Sequence, residues 1–134
     1  MMKLSKRLVI LFLVHCIICT SALYSRAAEE PERKWTSYMR DRELGVEYFY
    51  DKEALVKPSK DLFQVWRKRV FPAGAAQKEI VTFDEMDCRG PRYRALELSV
   101  TYWDGTTKRY DRVGQWTNVY TNSVEEFLMD ENCK

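Results

Sequence analysis

The sequence predicts an α+β fold: a twisted antiparallel β-sheet of about five to six strands, a C-terminal α-helix packed on it, and one disulfide. Three observations carry that prediction. Apolar and polar residues alternate with period two, most clearly from Tyr93 to Trp103, where Leu96, Leu98, Val100 and Tyr102 share one face and Glu97, Ser99 and Thr101 the other. Asp104-Gly105 follows, a dipeptide suited to the positive φ angles of a tight hairpin. At Ser123 the period changes to that of a helix.

Taken in order, Trp35 to Arg40 reads as a first strand, with a turn near Arg42 to Gly45. Val46-Glu47-Tyr48-Phe49-Tyr50 is rich in aromatic and branched residues and forms the second. Asp51 to Lys60 breaks the pattern, with a helical turn expected at Lys52 to Leu55 and a loop at Pro58-Ser59. Leu62 to Phe71 is the third strand, stopped by Pro72 and the small residues Ala73-Gly74-Ala75-Ala76. Lys78 to Met86 is the fourth, Arg89-Gly90-Pro91 forces a bend, and the long strand from Tyr93 follows. A return strand runs from Thr107 to about Arg112. Ser123 and Glu126 have capping-box spacing, and Val124, Phe127 and Leu128 fall on one helical stripe that faces the sheet.

Residues 1–27 read as a cleavable signal peptide. Lys3, Lys6 and Arg7 make a positive start, and Leu8 to Ile18 is apolar apart from His15 and too short to span a bilayer. Ser25-Arg26-Ala27 offers small residues at the positions a signal peptidase reads. Cys16 and Cys19 follow His15 and Ile18, so neither has the small neighbour that a lipid-attachment box needs, and no lipid anchor is expected. Residues 28–34, charged and holding Pro31, form a flexible lead-in, and residues 35–134 a single domain. The whole sequence carries +2, but its 20 acids all lie beyond residue 28, so cleavage leaves a mildly acidic domain. That argues against nucleic-acid binding, which relies on clustered positive charge.

Cleavage also removes the sole histidine, His15, and leaves two cysteines. Cys88 and Cys133, an even pair in a small exported chain, read as a structural disulfide. With no histidine and no free thiol, the mature chain lacks the commonest general base and the most reactive nucleophile. It also lacks a nucleophile-elbow motif and a phosphate-cradling glycine loop. No catalytic residue, metal or cofactor is assigned. The densest acidic cluster, Asp84, Glu85 and Asp87, reads as a solvated strand edge.

The candidate ligand-binding residues are Trp66, Arg67, Lys68 and Arg69, three cations beside an indole that suit an acidic polymer or an acidic protein patch. Alternation puts Arg67 and Arg69 on one face and Trp66 and Lys68 on the other; the same charges also serve as protection for a strand edge. Arg89, Arg92 and Arg94 form a second basic cluster of the same ambiguity. Trp103, placed by alternation among polar neighbours, is the candidate interface anchor, and an exposed sheet face also suits a homodimer.

The ordered set Trp35, Tyr48-Phe49-Tyr50-Asp51, Val65-Trp66, Asp87-Cys88, Tyr93-Arg94, Tyr102, Trp116, Ser123, Glu126 and Cys133 resembles the surface-adhesin protein E family of Gram-negative bacteria. One departure is Thr121-Asn122, where the family often has a proline. The resemblance implies a twisted antiparallel sheet flanked by a C-terminal helix, bonded cysteines, and export to the periplasm or the outer cell surface. Some family members bind host matrix or plasma proteins. The leading expectation is therefore a non-enzymatic exported binding protein with a protein or acidic-polymer ligand. The alternatives are a periplasmic accessory domain of an envelope assembly and an unrecognised carboxylate-based hydrolase.

Overall fold

The computed structural model describes residues 31–134. The signal-peptide reading and the start of the lead-in lie outside the described residues. Eight strands form one antiparallel sheet: β1 Trp35–Asp41, β2 Val46–Asp51, β3 Val56–Ser59, β4 Leu62–Val70, β5 Glu79–Asp87, β6 Arg92–Thr101, β7 Thr107–Tyr110 and β8 Thr117–Asn118. A helix, α1, spans Val124–Asn132. The α+β class holds, with more strands than expected. The additions are β3, an exposed strand that tolerates Pro58 because it makes only one side of a hairpin, and β8, two residues long.

The strand order is β1-β2-β4-β5-β6-β7, with β3 pairing β4 and β8 pairing β6. Three long strands make the centre, and each flank is shared. β2 and β3 divide one edge of β4, while β7 and β8 divide one edge of β6. Aspartates open the turns. Asp41 accepts from the Glu43 and Leu44 amides, Asp51 from those of Glu53 and Ala54, and Asp104 from that of Thr106. Gly105 takes a φ of 86°, as the hairpin after β6 requires. The helical turn expected at Lys52 to Leu55 is a bend and turn instead.

β6 departs from strict alternation. Glu97 pairs with Phe83 and Ala95 with Asp84, so Leu96 is the extra residue of a bulge. Tyr93 and Ala95 then lie across from the buried Met86 and Asp84, and Leu98 and Val100 across from Thr82 and Ile80. The strand ends at Thr101, which leaves Tyr102 and Trp103 to the turn.

The core joins Tyr50, Phe63, Val65 and Met86 of the sheet to Leu128 and Met129 of α1. Burying one such side chain contributes about 1.5–3 kcal/mol. The helix is turned from the stripe expected: Leu128 and Met129 carry its buried face, whereas Phe127 stays 39 % exposed and stacks on Tyr38. Ser123 caps the helix, its Oγ accepting from the Glu126 amide at 3.1 Å. Glu126 returns the bond to Asn122 rather than to Ser123, completing a shifted capping box. Cys88 and Cys133 are disulfide-bonded, their Cα atoms 5.6 Å apart, which ties the end of α1 to the bend after β5. Lys57 Nζ donates to the Asn132 carbonyl at the same end.

Candidate functional site

α1 covers one face of the sheet; the opposite face is made by the side chains that alternate away from the core. Phe49 alternates with Tyr50 in β2, Trp66 with Val65 in β4, and Phe83 with Asp84 in β5. Register sets Phe49 opposite Lys68, and Trp66 opposite Phe83. The Trp66 and Phe83 rings stack with centroids 4.8 Å apart. Lys68 Nζ lies 4.7 Å from the centre of the Trp35 ring and 5.0 Å from that of Phe49. Arg33, two residues before β1, holds its guanidinium 3.4 Å above Trp66. Arg92 and Arg94 lie 4.6 and 4.5 Å over Trp116. Each cation–π contact of this kind contributes about 0.5–1 kcal/mol at an exposed site.

Burial among these rings lowers the Lys68 pKa, an effect Glu79 opposes. An ammonium already partly stripped of water has less hydration to lose when an anionic ligand docks. The arrangement therefore offers ring faces for stacking and a poorly hydrated cation for a carboxylate or sulfate.

The acids expected at a solvated edge are instead bonded within the sheet, because β5 is a central strand. Glu85 Oε1 accepts from Arg94 at 2.7 and 3.0 Å, and its Oε2 from Gln64 at 2.8 Å. Asp87 is buried, accepting from Arg92 at 3.0 and 3.1 Å and from the Arg89 amide. Arg92 and Arg94, two of the three cations of the second basic cluster, thus stand opposite Asp87 and Glu85 in register, while Arg89 lies in the bend after β5. Burial alone would raise both carboxyl pKa values. The Gln64 and Arg94 bonds outweigh it for Glu85, and the Arg89 amide and Arg92 outweigh it for Asp87, so both lie below their ordinary values of 4.5 and 3.8. Depressed carboxyl pKa values stabilise the fold above the unfolded values, and that stability is lost as pH falls through the folded ones. The urea midpoint is therefore expected to hold from about pH 7 to 5 and to drop below about pH 4, with a shallower drop in Glu85→Gln. A midpoint that rises on acidification contradicts the pairing.

Of the residues picked from sequence, Trp66 and Lys68 belong to the open face. Arg67 does not: it alternates to the helix-covered side, where its Nε donates to Asp84 and its Nη1 to Glu125 at 2.6 Å. Asp84 is 1 % exposed. Burial would lower the Arg67 pKa, but Asp84, Tyr38 and Glu125 together hold it above its ordinary value. Tyr38, beside it, is pushed up to about 12, chiefly by burial. Arg67 is thus a bridge between sheet and helix, and no ligand-binding role is kept for it. Arg69 is exposed, opposite Tyr48 and Ile80, on the Arg67 side of β4. Trp103 lies in the turn after β6, at the far end of the strands from the Cys88 bend.

Arg33, Trp35, Phe49, Phe83 and Trp116 join the face and were not among the sequence candidates. Arg94 of the second basic cluster joins it as well, and register adds the acids Glu47, Glu79, Glu85 and Glu97. Alternation around Trp66 and Lys68 was the signal that could have found Phe49 and Phe83; no local pattern marks Arg33. A separate cavity of about 410 Å³ beside the disulfide is lined by Cys88, Pro91, Val119, Glu126, Met129 and Cys133 among others. Among the described residues no group of His, Cys, Asp and Glu side chains is arranged to hold a metal ion. No protein-family model, curated protein or solved structure matches this chain.

Proposed function

We propose that this chain is a non-enzymatic, exported binding protein of the bacterial periplasm or cell surface. It engages a carboxylate- or sulfate-bearing polymer, or a protein patch of that chemistry, through the open sheet face. One observation carries the reading: Trp35, Phe49, Trp66, Phe83 and Trp116 share the face opposite α1 with Lys68 and Arg33, while Arg94 is already paired with Glu85. Rings interleaved with cations bind acidic chains by stacking and charge together. The export reading rests on the leader and on the resemblance to the surface-adhesin protein E family.

Retention of the protein on immobilised heparin and on polyglutamate tests the reading. Trp66→Ala is expected to weaken retention about tenfold, the equivalent of one lost stacking contact. Lys68→Glu weakens it further and reduces the salt dependence, whereas Arg69→Glu, off the face, changes it least. A wild-type protein that neither matrix retains at about 0.15 M salt sinks the acidic-ligand reading. Equal loss in Lys68→Glu and Arg69→Glu, with Trp66→Ala unchanged, would assign retention to general charge and overturn the face.

A further inference from the structure

Three hairpin tips meet at the end of the sheet remote from the disulfide. Register brings the β1–β2 turn, the β4–β5 loop and the β6–β7 turn to that end, since Glu47 pairs with Val70 and Glu79 with Thr101. Two contacts tie them together. Gly45, at φ 66°, lies against the Pro72 ring, where an added Cβ would come within 3.4 Å of it. Trp103 Nε1 donates to the Ala75 carbonyl at 2.9 Å.

Each tip holds apolar residues exposed to solvent. Leu44 is 65 % exposed and Trp103 48 %, and the Pro72-Ala73-Gly74-Ala75-Ala76 run between them carries no charge. Exposed cations Arg40, Arg42, Lys78 and Lys108 surround them, against the exposed acids Glu43 and Asp104.

Seven amides of the tips and one indole N–H are bonded internally. The Glu43 and Leu44 amides go to Asp41, and the Phe71 amide to the Lys78 carbonyl. The Ala75 amide goes to the Pro72 carbonyl, those of Tyr102 and Gly105 close the third turn, and the Thr106 amide reaches Asp104. The Trp103 indole N–H is satisfied by Ala75. A protein–water interface does not demand this, because water bonds exposed amides freely. Entering the boundary between lipid headgroups and acyl chains is made less costly by it, since unpaired amides are penalised as water thins out. Indole rings favour that boundary, and surrounding cations match anionic headgroups.

We infer that the Leu44, Pro72–Ala76 and Trp103 tips form a membrane-docking surface that seats the domain peripherally on an anionic lipid bilayer. The contact is distinct from the ligand face and does not depend on it. It is shallow, a few side chains deep, and among the described residues no helix is long and apolar enough to cross a membrane.

Tryptophan quenching by brominated lipids tests this on the full chain, because every tryptophan lies at or beyond Trp35 and the leader contributes none. Phosphatidylcholine vesicles with about one-third phosphatidylglycerol are used, and pure phosphatidylcholine serves as comparison. Quenching is expected in the wild type, stronger on the anionic vesicles, with most of it lost in Trp103→Phe. Leu44→Asp is expected to lower the quenching-detected partition coefficient on the order of tenfold. Quenching that survives Trp103→Phe unchanged, or a chain that binds vesicles without quenching, overturns the proposal. So does a Leu44→Asp variant that loses self-association in size-exclusion chromatography while no lipid quenching occurs, which makes the tips a protein contact.

Discussion

Arg67→Met is expected to destabilise the protein by about 3–5 kcal/mol, read as a lowered urea midpoint at pH 7. The size follows from what the arginine leaves behind. Asp84 is fully enclosed, its Oδ2 bonded to Arg67 and to Thr82 Oγ1, and Glu125 projects from the first turn of α1 to the same guanidinium. Removing the cation strands a buried carboxylate and breaks the ion pair between helix and sheet. The penalty belongs to the orphaned charge rather than to a lost attraction, so neutralising the acids must recover part of it. The triple variant Arg67→Met, Asp84→Asn, Glu125→Gln is therefore expected to be more stable than Arg67→Met alone. If the single variant stays within about 0.5 kcal/mol of wild type, the bridge does not contribute as described.

Replacing both Cys88 and Cys133 by alanine is expected to remove up to about 4 kcal/mol, because the bond closes a long stretch of chain. The sequence separation is 45 residues. Against a typical total of about 5–15 kcal/mol, such a loss leaves little margin. The effect has a location as well as a size. Without the tether, α1 is held by Leu128 and Met129, the Arg67–Glu125 pair, Tyr50 to Glu131 and Lys57 to Asn132. Hydrogen exchange is expected to show the amides of α1 losing protection before those of β4 to β6. Uniform loss across helix and sheet would mean that the bond acts on the unfolded chain alone.

Much of this fold was legible in the sequence because period two is a direct consequence of one covered face. β1, β2, β4 and β5 fell close to their expected bounds, and the Asp104-Gly105 hairpin and the Ser123 cap sit where their local chemistry put them. β3 escaped because Pro58 is an ordinary loop signal, and only the neighbouring β4 edge gives it a partner. The Leu96 bulge escaped because the sequence alternates straight through it; the register shift is set by the strands on either side.

The site was legible in part. Trp66 and Lys68 were found from a basic run, but that run mixes two faces, and Arg67 answers to Asp84 and Glu125, 17 and 58 residues away. Pairing at that range leaves no local trace. The acids of β5 were misread for the same reason, since their arginines stand on β6 and on β4.

Strand order also carries a kinetic meaning. Along β1-β2-β4-β5-β6-β7 almost every spatial neighbour is the next strand in the chain. Assembling that meander asks for short loop closures only, each a rapid event. α1 is the exception, returning from the far end of the chain to lie on Phe63, Val65 and Met86. Until it docks, those side chains stand bare on an otherwise finished sheet, the species most open to aggregation. Thiol oxidation, slower than every hairpin closure, then locks the docked helix and limits how often that half-covered state returns.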